Sequence, residues 1–339
     1  MTTIASPRFD HLLAMTDERA TFEHARLGEP RPEHGYCTDD MARVLVVTTR
    51  EPDPSPDVRS LAALSLQFLC SAQGADGGYR NRMDRRGRWL DRPSLEDCWG
   101  RSVWALGTAA AHGHAEGIRQ TAVREFERAA RRRSPWSRAM AFAAIGAAEL
   151  LTAVPDHPVA RELLRDATAL PDAGGDASWP WPEPRLAYAN AVLPEAMIAA
   201  GSLLSRPDLL QRGLHLLGWL LDHEMVDGHL SVTPVDGSAP GATRPAFDQQ
   251  PIEVAALADA CARAATVDPD DRRWSDGVAA AVSWFLGDND AGHAMFDPVT
   301  GGGYDGLHAH GPNLNQGTES TLALVATLQH GRHLVPASR

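Results

Sequence analysis

The segment DDMAR at residues 39–43 recurs as DCWGR at residues 97–101, with an offset of 58 residues. The same offset relates NAVLPE at residues 190–195 to DQQPIE at residues 248–253. Each copy leads into an apolar run with helical spacing that is rich in alanine and leucine, so each copy predicts the start of a helix. A fixed recurrence of helix starts indicates a repeated architecture.

Two further segments carry a charged residue at the equivalent place, which gives six anchor residues. They are Arg43, Arg101, Arg138, Glu195, Glu253 and Glu319, and they are separated by 58, 37, 57, 58 and 66 residues. Each interval has room for two helices and two connections. Six other helices are predicted between the anchored ones, near residues 8–25, 57–71, 115–133, 157–169, 206–223 and 271–286.

This spacing predicts an all-α chain built from six helical hairpins. The N-terminal helix and the last anchored helix, about residues 316–330, each lack a neighbour along the chain, so we expect the two to pair and close a ring. The predicted fold is an (α/α)6 toroid that forms one domain over residues 1–339, with its core at about residues 8–330. The anchored helices are apolar nearly all round and should form the inner layer.

The composition excludes several functions. The chain has 339 residues, a net charge of −12 and no lysine, so all 32 basic side chains are arginine. Schiff-base chemistry, a pyridoxal-phosphate lysine and a lysine-tipped phosphate loop are therefore excluded. An acidic chain of this kind is also a poor sequence-independent binder of nucleic acid.

The cysteines and the apolar runs indicate where the protein functions. The four cysteines form no CxxC pair, and no metal or other cofactor is expected. The N-terminus lacks a signal-peptide pattern, and no apolar stretch reaches about 18 residues, which is the length a membrane span needs. We therefore expect a cytoplasmic protein without a membrane partner.

Polar and aromatic residues collect at the predicted starts of the inner helices and in the loops before them. Because all inner helices should point the same way, these residues should meet at one mouth of the ring. The candidate substrate-binding residues are Tyr36, Asp39, Glu96, Trp99, Arg101, Trp179, Trp181, Glu183, Tyr188, Asn190, Asp248, Gln249, Gln250, Asn315, Gln316 and Glu319. Carboxylates, amides and aromatic rings in one cavity are typical of a sugar-binding site.

Cleavage of a glycosidic bond needs two carboxyl groups, about 6.5 to 9.5 Å apart when water attacks directly. Asp40, Asp97 and Glu253 are the candidate acid, base and substrate-orienting carboxylates, and which residue has which role is left open. Each could instead cap a helix or suit its dipole. The arginines among the anchors should pair with carboxylates, either on their own helix or across the ring.

The segment GYCTDDMAR at residues 35–43 carries a resemblance, together with WPE at 181–183, DQQPIE at 248–253 and NQGTE at 315–319. The chain resembles the helical domains found beside or fused to bacterial group 1 glycosyltransferases, which belong among the six-hairpin glycosidase-like toroids. The resemblance covers about residues 8–330. It implies carbohydrate chemistry and a possible partnership with a glycosyltransferase, without defining a reaction. No Rossmann-like half is predicted, so this chain alone is not expected to transfer nucleotide sugars.

Three hypotheses follow for the function. The first is an inverting glycoside hydrolase acting on a bacterial oligosaccharide or on the end of a polysaccharide. The second is a non-catalytic glycan-binding or scaffolding partner of a glycosyltransferase. This hypothesis is favoured if every carboxylate at the mouth is paired with an arginine or with backbone amides. The third, a terpene cyclase-like toroid, is disfavoured because only 6% of the residues are aromatic.

Substrate access is predicted from the loop lengths. Four inner helices follow long loops at residues 72–95, 171–188, 225–250 and 288–314, whereas the third follows the short link at residues 131–136. The rim should therefore be low near Ser137. We expect a chain end to enter there, with Trp179, Trp181 and Tyr188 packing against the terminal sugar.

Overall fold

The computed structural model describes residues 6–167 and 178–332. Its helices are α1 (Asp10–Ala14), α2 (Thr38–Arg50), α3 (Pro56–Ala72), α4 (Asp97–His112), α5 (Glu116–Ala129), α6 (Ser137–Ala153), α7 (Pro158–Ala167), α8 (Val192–Leu203), α9 (Pro207–Glu224), α10 (Pro251–Val267), α11 (Arg273–Phe285) and α12 (Thr318–Gly331). Short antiparallel ribbons pair β1 (Ala25–Arg26) with β2 (Glu29–Pro30), β3 (Tyr36–Cys37) with β4 (Arg82–Met83), β5 (Met225–Val226) with β6 (His229–Leu230), and β7 (Gly306–His308) with β8 (Gly311–Asn313).

The even-numbered helices form a closed inner ring. Each packs against the next even-numbered helix in chain order, and α12 returns to pack against α2. Helices α3, α5, α7, α9 and α11 each pack on the inner helix that precedes them, and α1 contacts α12. The predicted (α/α)6 toroid is confirmed, and all six anchor residues lie in the first two turns of inner helices.

Burial explains which helices are inside. In α6 only the two end residues and Thr152 escape burial, whereas α5 buries just Ala122, Phe126 and Ala129. A helix that is apolar nearly all round must be covered on every side, while a helix with one apolar stripe can face water. The composition of each segment therefore assigns it to a layer.

Glycines let α4 and α6 approach closely. A Cβ atom on Gly107 would lie 1.9 Å from the carbonyl oxygen of Gly146, and one on Gly146 would lie 2.3 Å from that of Val103. A Cβ on Gly100 would lie 2.3 Å from the carbonyl oxygen of Ala139. Since no side chain fits at these points, the two backbones touch directly.

The predicted helix at residues 8–25 is wrong beyond its first turns. The structure forms helix only over Asp10–Ala14, and the chain then turns. The hydroxyl groups of Thr16 and Thr21 are hydrogen-bonded to each other at 2.8 Å. Leu27 has a φ of 52°, and the β1–β2 ribbon continues into proline-containing backbone that cannot extend a helix. The apolar residues of this segment pack as a folded loop instead.

Parts of two predictions lie outside the described residues: positions 168–169 of one outer helix and 171–177 of one long loop. Within the residues that the structure does describe, no helix is both long enough and apolar enough to cross a membrane.

Candidate functional site

A polar cavity of about 260 Å³ lies where the first turns of α2 and α12 meet. We call it the mouth cavity. It is lined by Glu23, His24, Cys37, Asp39, Asp40, Arg43, Arg82, Arg101, Asp305, Gly317, Glu319 and Ser320. Charged groups from the three inner helices α2, α4 and α12, from the N-terminal loop and from the β3–β4 ribbon thus converge at one point.

One guanidinium group joins the two carboxyl groups at the centre of the mouth cavity. Arg43 donates from Nη2 to Asp40 Oδ1 and from Nη1 to Glu319 Oε2, both at 2.7 Å. Asp40 and Arg43 are buried, whereas the Glu319 side chain is 44% exposed. The two carboxyl groups therefore flank a single cation, and one of them faces solvent.

The same cation does not leave the two carboxyl groups with the same acidity. Burial raises the pKa of Asp40 to about 7 although Arg43 opposes the shift, and the negative charges of Glu319, Glu23 and Asp39 add to it. Desolvation also opposes ionisation of Glu319, but Arg43 and Arg101 overcome it and hold the pKa of Glu319 below its usual value. Near neutral pH the pair thus contains one carboxyl group that can carry a proton and one that is ionised.

A second ionic group extends from the mouth cavity toward α4. Arg101 Nη1 lies 2.9 Å from Asp39 Oδ1 and 3.4 Å from Asp97 Oδ2. Asn81 donates from Nδ2 to Asp39 Oδ2 at 2.9 Å. Burial works against ionisation of Asp39, but Arg101 and Arg43 lower its pKa. Asp39 is therefore a fixed negative charge.

A second cavity, of about 300 Å³, opens beside this group. We call it the side cavity. It is lined by Asp39, Asn81, Glu96, Asp97, Cys98, Trp136 and Tyr188. Burial raises the pKa of Tyr188 to about 12, and the negative charge of Asp97 acts in the same direction. The two cavities share Asp39, so they adjoin.

Glu253 lies apart from both cavities and holds the backbone before α8. Its carboxylate is buried and accepts bonds from the amides of Ala189 and Asn190 and from the Asn190 side chain. Arg138 forms two bonds to Glu183, at 2.7 and 2.8 Å. The bonds to Ala189 and Asn190 place Glu253 within the protein framework, and its side chain lines neither cavity.

Replacing Glu253 with glutamine should change how stability depends on pH. Burial raises the pKa of Glu253 from 4.5 to about 7, and Glu224 adds to the effect. Between these values the unfolded chain loses the proton while the folded chain keeps it, so this group makes the folded state less stable as pH rises. The shift corresponds to about 3 kcal/mol.

The E253Q variant should lose this contribution, so the difference in unfolding free energy from the unaltered protein should vary with pH between 4.5 and 7. Urea titrations at several pH values measure it. Glu162→Gln on α7, where the side chain is 68% exposed, is the control for loss of a surface carboxyl group. A constant difference for E253Q would show that the group does not titrate in this window.

Several predicted sugar-binding residues are covered by protein and line neither cavity. Tyr36, Trp99, Trp181, Asn190, Gln249 and Gln316 are all buried. The Tyr36 hydroxyl donates to Asp17 at 2.5 Å, and Trp99 Nε1 donates to the carbonyl oxygen of Ala129 at 3.3 Å. The rings of Tyr36, Trp99 and Trp181 lie in the core, and none of the six side chains lines either cavity, which corrects the expectation that they face a sugar there.

The other predicted residues have local partners. Trp179 donates to the carbonyl oxygen of Glu183 at 2.9 Å and packs against Trp219. Asn315 accepts from the amide of Leu27 at 2.9 Å, and Asp248 is bonded to His308. Gln250 precedes α10 without a side-chain capping bond. The structure brings seven predicted residues to the two cavities: Asp39, Asp40, Glu96, Asp97, Arg101, Tyr188 and Glu319.

Several lining residues did not stand out in the sequence. Glu23 and His24 belong to the segment predicted as helix, and Asn81 and Arg82 lie within the long loop before α4. Trp136 directly precedes α6. Glu23, Cys37 and Asp40 each offer one atom that can bind a metal ion, and these atoms lie within 4.8 Å of one another. Arginines already pair with both carboxylates.

The opposite end of the ring carries a separate ionic network. Arg263 bonds Glu195 at 2.9 Å and Glu149 at 2.6 Å, and Arg50 bonds Asp259 at 2.7 Å. The anchor Glu195 therefore points away from the mouth. Arg43 pairs with Glu319, as expected for anchor residues that face each other across the ring. Arg101 pairs with Asp39 instead, and Arg138 pairs with Glu183.

Comparison with solved structures finds the same architecture in other proteins. A sugar epimerase from a ruminal bacterium matches with a TM-score of 0.67 and 15% identity, covering 97% of this chain and 96% of that one. D-mannose isomerase matches with a TM-score of 0.69 and 13% identity, covering 96% and 95%. The cellulase Cel9M of C. cellulolyticum matches with a TM-score of 0.61 and 9% identity, covering 94% and 88%. At these identities the likeness establishes the shared toroid fold.

No protein-family model matches the chain, and a search of curated proteins finds no match either. The resemblance to domains associated with glycosyltransferases thus receives no support from these comparisons.

Proposed function

We propose that this protein is a carbohydrate-active enzyme that hydrolyses a glycosidic bond with inversion in the mouth cavity. The observation that carries the proposal is the pair of carboxyl groups on Arg43, with Asp40 poised near neutral pH and Glu319 ionised. In this assignment Asp40 is the proton donor and Glu319 is the base. Asp97, in the side cavity, binds substrate, and Glu253 supports the fold.

The pair accounts for each proton in the reaction. Asp40 gives its proton to the glycosidic oxygen as the bond to the anomeric carbon breaks, while Glu319 takes a proton from the water that attacks that carbon. Asp40 ends ionised and Glu319 ends protonated. Because Arg43 bonds both groups, the total charge beside this cation is unchanged, and exchange with solvent restores the starting state.

The fold supports a carbohydrate substrate, because the similar toroids are those of sugar epimerases, an isomerase and cellulases. Epimerisation and isomerisation also need a group that gains and loses a proton near neutral pH. The mouth cavity is lined by charged groups rather than aromatic rings, which does not suit the carbocation cage of a terpene cyclase.

A non-catalytic glycan-binding protein is the second candidate. Arginine pairs with Asp39, Asp40, Asp97 and Glu319 at the mouth, which is the arrangement expected of a structural charge network. Ion pairs of this kind can fix a binding surface without chemistry. The raised pKa of Asp40 favours the enzyme, and the extent of arginine pairing favours the binder.

Proton NMR on a panel of oligosaccharides and reducing sugars separates these functions. Hydrolysis with inversion should first release the anomer opposite to that of the cleaved linkage. Release of the same anomer would contradict an inverting mechanism. A changed sugar without cleavage would indicate epimerisation or isomerisation instead, and binding without any conversion would establish the second candidate.

A further inference from the structure

The side cavity has two aromatic walls that are open to solvent. Trp136 is 59% exposed and Tyr188 is 45% exposed, although both are large rings that proteins usually cover. The Arg138 guanidinium lies 4.9 Å from the centre of the Tyr188 ring and supports it. Aromatic rings that face an open cavity provide flat surfaces for a ligand.

Polar groups between these walls can bond hydroxyl groups. The Glu96 side chain is exposed, and within residues 6–167 and 178–332 its carboxylate accepts one hydrogen bond, from Ser94 Oγ at a long 3.5 Å. The neighbouring carboxylates Asp39 and Asp97 are both held by Arg101. Glu96 is therefore free to accept hydrogen bonds from a ligand, as a sugar hydroxyl requires.

The position of the side cavity relates it to the mouth cavity. Asp39 lines both, and Arg101 binds Asp39 on one side and Asp97 on the other. A ligand longer than one sugar ring could thus occupy both cavities and pass over Asp39. Trp136 belongs to the short link before α6, where the loop lengths predict a low rim.

We propose that the side cavity binds a neutral pyranose unit next to the one that reacts in the mouth cavity, with Trp136 as its stacking wall. The inference rests on the proposed carbohydrate function and names the part of the substrate that this site recognises. Trp136 and Tyr188 contact the faces of the sugar ring, and Glu96 and Asn81 bond its hydroxyls. The carboxylates Asp39, Glu96 and Asp97 repel an acidic sugar, so the ligand carries no negative charge.

Calorimetric titration with cellotetraose and mannotetraose tests the site in the full-length protein. Trp136→Ala should raise the dissociation constant of the tetraose that binds by about tenfold, because a stacking surface is lost. Trp136→Phe keeps a ring and should restore most of the affinity. Val299→Ala is the control, since Val299 is 80% exposed and lies elsewhere. Melting temperatures should be unchanged in all three variants.

The titration measures sugar binding, which is independent of whether the protein converts the sugar. Weakened binding in Trp136→Ala supports the sugar site even if the unaltered protein converts nothing, in which case the hydrolase assignment fails alone. An unchanged dissociation constant overturns the sugar site, even if hydrolysis is observed. Absence of binding of both tetraoses by the unaltered protein also overturns it.

Discussion

Asp40→Asn should reduce kcat for glycoside hydrolysis by about 10²- to 10⁴-fold, the range that a positioned proton donor contributes. Asparagine keeps the size of the side chain and can still lie beside Arg43, but it has no acidic proton to give. Rates are measured on a substrate identified by the NMR panel. Asp57→Asn, on the exposed face of α3, is the matched control and should leave kcat unchanged.

The pH profile should report the same residue. Because the pKa of Asp40 is raised to about 7, the rate should fall as pH rises through 7 and the donor loses its proton. The pKa of Glu319 is lowered, so the base should remain ionised until the pH falls below the ordinary range of glutamate. An Asp40→Asn enzyme that keeps both its rate and its decline above pH 7 would exclude Asp40 as the donor.

Gly107→Ala should destabilise the folded protein by about 3 kcal/mol, at the upper end for an added methyl group in a packed core. The new Cβ would lie 1.9 Å from the carbonyl oxygen of Gly146, so α4 and α6 must move apart. Backbone atoms cannot adjust as a flexible side chain can. Urea unfolding followed by circular dichroism measures the change in free energy.

The matched control is Gly117→Ala on the outer helix α5. A Cβ there has no atom within 4 Å, and alanine is the better helix former, so the variant should be as stable as the unaltered protein or slightly more stable. If both variants unfold at the same urea concentration, the contact between α4 and α6 does not limit stability as the geometry indicates.

The inner layer of the fold could be predicted from the sequence because its signal is local and repeated. The starts of α2 and α4 carry the same pattern with a spacing of 58 residues, and so do the segments before α8 and α10. Burial on all sides requires an apolar composition that can be read directly. The segment at residues 8–25 failed because its apolar residues fit a helix as well as a folded loop, and only contacts with α2 and α12 distinguish them.

The candidate site could be predicted only in part. Asp39, Asp40 and Glu319 were found because helix starts must meet at the mouth. The partner that each group takes is decided by tertiary distance, which sequence spacing does not encode, so Glu253 and Asp40 looked equivalent. Glu253 accepts hydrogen bonds from backbone amides, whereas Asp40 lines the mouth cavity. Trp136 was missed because a lone tryptophan before a helix has no pattern that marks exposure.

Closure of the ring by α12 has a consequence for biosynthesis. Glu319 reaches Arg43 across 276 residues of chain, and the Thr318 hydroxyl reaches the carbonyl oxygen of Phe22 across 296. A nascent polypeptide on the ribosome can form its hairpins one after another, but it lacks the base of the proposed pair until α12 has been translated. The proposed pair therefore stays incomplete, and the face of α2 that packs on α12 stays uncovered, until α12 has been synthesised.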